Sequence, residues 1–153
     1  MSVEENKAII RRWLEAEYLR GIQEDESPEV ELEQTVRRAV AETFAPECVL
    51  HSPEGDVTRE EYIQASIRFF STMPDYSCTI EDTISEGDSV AMRIIMRGTR
   101  QDTDLGIPAT GKKLEIHAAV IFHFADGKVV EAWRYSDRLS VMQQLGVIPT
   151  PGQ

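Results

Sequence analysis

From Tyr76 to Asp137 the apolar residues stop recurring every three or four positions and begin recurring every second one, and this change limits the fold more than any other feature of the chain. Two strand pairs account for it. "YSCTIEDTISEGDSVAMRIIMRGT" reads as two strands turning at Glu86-Gly87-Asp88. "KKLEIHAAVIFHFADGKVVEAWRYSD" reads as two more turning at Asp126-Gly127, a dipeptide suited to a tight hairpin because both residues tolerate positive φ. Ahead of Tyr76 the period is helical. Ile9, Ile10, Trp13, Leu14 and Tyr18 form one stripe that ends at Gly21, and Leu32, Val36, Val40 and Phe44 form another, which predicts a helix from about Pro28 to Phe44. "ECVLHSP" reads as a short strand. Thr58 and Glu61 have the spacing of a capping box and open a third helix carrying Tyr62, Ile63, Ser66, Phe69, Phe70 and Met73, which Pro74 stops. A last helix, "RLSVMQQLG", follows Asp137 and ends at Gly146. Helices followed by antiparallel strands give an α+β fold, with helices packed on one face of a curved antiparallel sheet. Such a bend leaves a concave, mostly apolar pocket of the kind that takes a small molecule.

The 153 residues suit a single domain spanning 1–153. With 27 acids against 16 bases the formal net charge is −11, which argues against nucleic acid and against an anionic membrane as partners. "MSVEENKAIIRRW" lacks the basic-then-apolar pattern of a signal peptide, and no apolar run approaches a membrane span, so the expected location is cytoplasmic. Cys48 and Cys78 read as buried free thiols. His51, His117 and His123 show no metal-ligand spacing, so no metal is expected. The chain has no G-x-S-x-G elbow, no P-loop and no dinucleotide fingerprint, so no cofactor is expected either. Six acids between Glu24 and Glu33 read as a solvated face. The thirteen residues from Thr99 to Gly111 are more than a hairpin needs, and Leu105, Ile107 and Pro108 suggest a loop that packs on something.

The chemistry centres on Asp137, a carboxylate at the end of an aromatic strand. Burial beside Trp133 and Tyr135 would disfavour its charged form and tune it for acid/base work. An Asp ahead of a helix is equally an N-cap, and the two roles compete for the same oxygens. His117 and His123 share a strand face, but Val120, Phe122 and Phe124 make the opposite face apolar too, so alternation alone leaves open which face lines a pocket. His51, at the end of the short strand, reads either as a pocket residue or as a partner of the loop backbone. Trp13 and Trp133 could line an aromatic pocket, whereas Phe69 and Phe70 read as core, and Met73, Met92 and Met96 as gap-filling.

Four segments, "ENKAIIRRWLEAEYLRG", "FAPECVLHSP", "GIPATGKKLEIHAAVIFHFADGKVVEAW" and "SDRLSVMQQLG", together resemble SnoaL-type polyketide cyclases over nearly the whole chain. The G-I-P-x-T-G loop, the F-x-D-G-K turn and the Asp before the closing Q-L-G helix are the most specific pieces. The resemblance implies an NTF2-like cone enclosing a pocket, a homodimer, and a cofactor-independent intramolecular aldol ring closure or related isomerisation of a small, largely apolar substrate. It implies Asp137 as the general acid/base; beside it, the reading of the residues themselves makes His117 and His123 candidate helpers and His51, Trp13, Trp133 and Tyr135 candidate substrate-binding residues. The stretch between Gly21 and Phe44 is about a dozen residues longer than the resemblance leads one to expect, and it is acidic. Two other functions fit the same residues. Arg100, Asp102 and Asp137 supply the residue types of an epoxide hydrolase of this fold, and a non-catalytic ligand-binding or dimerisation module needs Asp137 only as a cap.

Overall fold

The computed structural model describes residues 2–18, 28–100 and 111–152. Helices α1 (Val3–Tyr18) and α2 (Pro28–Thr43) lead into strand β1 (Phe44–Ser52), a hairpin partner β2 (Gly55–Thr58) and helix α3 (Arg59–Thr72). Strands β3 (Ser77–Glu86), β4 (Ser89–Thr99), β5 (Lys113–Ala125) and β6 (Lys128–Ser136) follow, and helix α4 (Arg138–Gln144) closes the order. The six strands form one sheet in the order β2-β1-β6-β5-β4-β3. The expected antiparallel sheet is in fact mixed, because β1 pairs parallel with β6. The helix expected to reach Phe44 stops at Thr43, and Phe44 already belongs to β1. The nine-residue β1 and the short β2 replace the single short strand read from "ECVLHSP".

Local signals behave as their chemistry requires. Thr58 Oγ1 accepts from the Glu61 N–H at 3.2 Å while the Thr58 N–H donates to Glu61 Oε1 at 3.4 Å, completing the capping box of α3. Asp126 and Gly127 take φ of 51° and 78°, so the β5–β6 turn is the left-handed pair that an Asp-Gly dipeptide permits. Strand β5 alternates without a break: its even-numbered residues are buried and its odd-numbered ones exposed. That pattern decides the face left open by sequence alone. Leu114, Ile116, Ala118, Val120, Phe122 and Phe124 point toward the helices, and His117 and His123 point away.

The core lies between α1–α3 and this inner face. Trp13 meets Phe44 and Phe122 edge-on, with ring centroids 5.1 and 5.9 Å apart. Val36, Val40, Val90 and Val129 are fully or almost fully buried around them. Cys48 is buried too, and burial pushes its thiol up to about 11, so it behaves as a small apolar side chain. Cys78 is only half-buried. Among the described residues no helix is long and apolar enough to cross a membrane.

Candidate active site

Between the inner sheet face and α3 lies a cavity of about 340 Å³, within the usual size of a small-molecule site. Trp13, Phe44, Phe122 and Tyr62 form one ring cluster along it. Phe69, Phe70 and Tyr76 form a second, with mutual centroid distances of 4.9–5.7 Å. Phe69 and Phe70 thus do more than fill the core, and Met92 and Met96 line the cavity with them. Among the described residues the cavity's charged lining groups are Arg68, Arg100 and Arg134, and no carboxylate or imidazole lines it.

Strand register explains how an arginine comes to face inward. Ala132 pairs with the inward Phe122, and Arg134 with the inward Val120. The residues between and beyond them, Trp133 and Tyr135, therefore face out. The same logic turns Leu50 of β1 inward beside Ala132 and His51 outward beside Trp133. Arg134 is half-buried, and its Nη2 donates to Met96 Sδ at 3.7 Å.

Of the residues expected at the site, the structure places Trp13 in the cavity and the others elsewhere. Trp133 and Tyr135 lie on the outer face, with Tyr135 53 % exposed. His51 also lies there. Its Nδ1 is 2.7 Å from Asp56 Oδ1 and its Nε2 2.6 Å from Glu131 Oε2. The Glu131 contact first and the Asp56 contact second hold its pKa above the usual histidine value. The ring stacks on Trp133 at 5.2 Å, and His123 meets the same indole edge-on at 4.6 Å. His117 is exposed, with Nε2 2.9 Å from Glu115 Oε1; that contact is the main reason the Glu115 carboxyl titrates below its usual range. Neither His117 nor His123 reaches the cavity, because their odd-numbered positions on β5 face away from it.

Asp137 is exposed and caps α4: its Oδ1 accepts from the Ser140 N–H at 3.0 Å. The expected burial of Asp137 beside Trp133 and Tyr135 is absent: Trp133 packs between His51 and His123 on the outer face and Tyr135 is exposed. Arg100 lines the cavity, but Asp102 and the rest of the expected packing loop from 101 to 110 lie outside the described residues, as does the acidic stretch from 19 to 27. No group of three or more His, Cys, Asp or Glu side chains among the described residues is arranged to hold a metal ion.

Arg134 is the most consequential of the lining residues that sequence reasoning missed, Arg68 and Tyr62 being others. The signal was the "AWRY" alternation, in which either Ala132 and Arg134 or Trp133 and Tyr135 must face the pocket. The aromatics suggested the wrong parity.

A cone of helices closed against a curved sheet, with a ring-lined cavity between them, defines the NTF2-like class of α+β domains. Within that class the chain belongs to the SnoaL-like polyketide cyclase family, whose model matches residues 31–145. Among solved structures, AclR from Streptomyces galilaeus, provisionally named a hydroxylase, is 24 % identical with a TM-score of 0.78, covering 97 % of this chain and 100 % of that one. IdmH from Streptomyces antibioticus, provisionally named a polyketide cyclase, is 26 % identical with a TM-score of 0.72, over 92 % and 98 % of the two chains. A protein from Acidithiobacillus ferrooxidans, also provisionally named a polyketide cyclase, is 25 % identical with a TM-score of 0.73, over 96 % and 99 %. No curated protein matches the chain.

Proposed function

We propose that the cavity binds a small, largely apolar ring-forming substrate and that the chain catalyses its cofactor-independent ring closure or isomerisation. The observation that carries this reading is the two-cluster aromatic lining of the cavity, in a member of a cyclase family. A flexible chain held between two groups of rings is folded before it reacts, which removes much of the entropic part of the barrier.

In the aldol form, a carbon next to a carbonyl loses its proton to the Asp137 carboxylate. The resulting enolate carbon attacks a second carbonyl of the same molecule, forming the new carbon–carbon bond. The proton then passes from the Asp137 carboxyl to the new alkoxide, and the protein ends as it began. Asp137 lies outside the cavity lining, three residues past the cavity-lining Arg134, so this form requires a substrate that projects from the hollow beyond the end of β6; the helix cap engages Oδ1 and leaves Oδ2 for the proton. Because the protein leaves this carboxylate exposed, dehydrating it falls to the bound substrate.

The same exposure favours a second reading, a binding module in which Asp137 only caps α4. Asp137→Asn and Asp137→Ser separate the two, since both side chains still cap a helix but neither can cycle a proton. On a ring-forming substrate that the native chain converts, the first reading expects a loss of about 10²–10⁴-fold in turnover with the fold intact. Full activity in both variants would remove Asp137 from the mechanism.

A second copy of the chain is the partner proposed for the outer sheet face, which exposes Ile84 (70 %), Tyr135 (53 %) and Ile121 (40 %). Sedimentation of an Ile84→Glu, Ile121→Glu variant should then show a monomer where the native chain sediments as a dimer, and an unchanged mass would place any contact elsewhere.

A further inference from the structure

We infer that the cavity selects substrates in which an apolar ring body carries a carboxylate, and that Arg134 is the residue that receives it. The inference rests on the cavity being the substrate site, and it adds the chemical class that the site prefers.

The charge distribution is the starting observation. In a chain with 27 acids and 16 bases, the described residues of the cavity lining include three bases and no acid. The lining therefore has the opposite sign to the molecule, and an anion is attracted to this hollow in particular. Of the three arginines, Arg134 is held on the sheet itself, so its backbone position is fixed by pairing with Val120 of β5.

Its partners make the second argument. The side chain is half-buried, its polar contact is a thioether sulfur at 3.7 Å, and among the described residues no carboxylate lies within ion-pair distance of it. Methionine sulfur is a weak acceptor and carries no charge. A guanidinium partly withdrawn from water is better satisfied by a charged acceptor than by a thioether. The other inner-face positions of β5 and β6 named above are apolar, so one long cation at this place has no packing rationale. A bound carboxylate supplies what is missing, two acceptor oxygens matched to the guanidinium fork.

Register sets the shape of the ligand. Phe122 pairs with Ala132, Val120 with Arg134, and the guanidinium reaches on to Met96, which pairs with Ile116. The Trp13–Phe44–Phe122 cluster thus sits at one end of this row and the cation toward the other. A flat ring body fills the first and a carboxylate attached to it meets the second.

Calorimetric titration of the full chain with 2-naphthoate and with its neutral counterpart, 2-naphthalenemethanol, tests this. The native chain should bind the acid about tenfold or more tightly than the alcohol. Arg134→Met should bring the two affinities together by weakening the acid alone. Arg134→Lys, which keeps the charge but not the fork, should retain part of the preference, and Arg93→Met on the outer face should leave it unchanged. Equal binding of acid and alcohol by the native chain overturns the inference while leaving the cavity as a binding site. A preference that persists in Arg134→Met, shown by circular dichroism to be folded, overturns the assignment to Arg134. No binding of either compound overturns the inference together with the reading of the cavity on which it rests.

Discussion

The two faces of the central sheet are built from the same strands and do different work. The inner face of β5 and β6 presents Phe122, Val120, Ala132 and Arg134 to a ring-lined hollow. One residue along, the outer face presents Ile121, Trp133, His123 and Glu131, with His51 of β1 clamped between two carboxylates. The outer cluster holds more of the residue types associated with catalysis, yet it encloses no space. The inner face holds almost none of them and lines the cavity of about 340 Å³. A site is defined by where a substrate can be surrounded, and side-chain chemistry counts only once it faces that place.

Neighbouring residues on β5 give the sharpest way to break this comparison. Phe122 is 1 % exposed and packs edge-on against Trp13, so Phe122→Ala should destabilise the chain by about 3–5 kcal/mol in urea unfolding. Ile121 is 40 % exposed on the other face, and in dilute solution Ile121→Ala should cost below about 1 kcal/mol. Similar losses for both would mean that the outer face is as well packed as the inner one.

A smaller effect is expected at the end of β6. Asp137→Ala removes the α4 cap and should cost about 1 kcal/mol, whereas Asp137→Ser should stay within a few tenths. A neutral Asp137→Ala would show that the Ser140 contact contributes nothing to stability.

The smallest effect is the pH dependence of the outer cluster. The folded-state pKa of His51 is raised by Glu131 and Asp56, so its stabilising contribution is complete below the unfolded histidine value of about 6.5 and disappears as pH rises through the folded value. The stability difference between the native chain and His51→Gln should therefore be largest below about pH 6.5 and shrink toward pH 8. Thermal melts that show a difference growing with pH would contradict the clamp.

Much of the fold was legible because it rests on local rules. The change of period near Tyr76, the Thr58–Glu61 box and the Asp126-Gly127 turn each have one cheap backbone solution. The parallel β1–β6 pairing was not legible, because nothing in the local sequence of β1 reports which distant strand it will meet. The site was read less well for a related reason. On β5 both faces carry apolar residues, and on β6 the two aromatics lie on the outer face, so composition pointed to Trp133 and Tyr135 as pocket residues. Only the pairing of Phe122 with Ala132 and of Val120 with Arg134 fixes the parity, and that is a long-range fact. Asp137 was legible in position and in its capping role, but its exposure depends on how α4 leaves the sheet.

The chain has two tryptophans, one for each face: Trp13 lines the cavity and Trp133 lies between His51 and His123 outside it. Their indole N–H signals in a nitrogen-15 NMR spectrum therefore report the two faces separately. Titration with 2-naphthoate should move the Trp13 signal in a saturable way and leave the Trp133 signal in place. Saturable movement of Trp133 with Trp13 unmoved would put the ligand on the outer face and contradict the assignment of the inner hollow as the functional site.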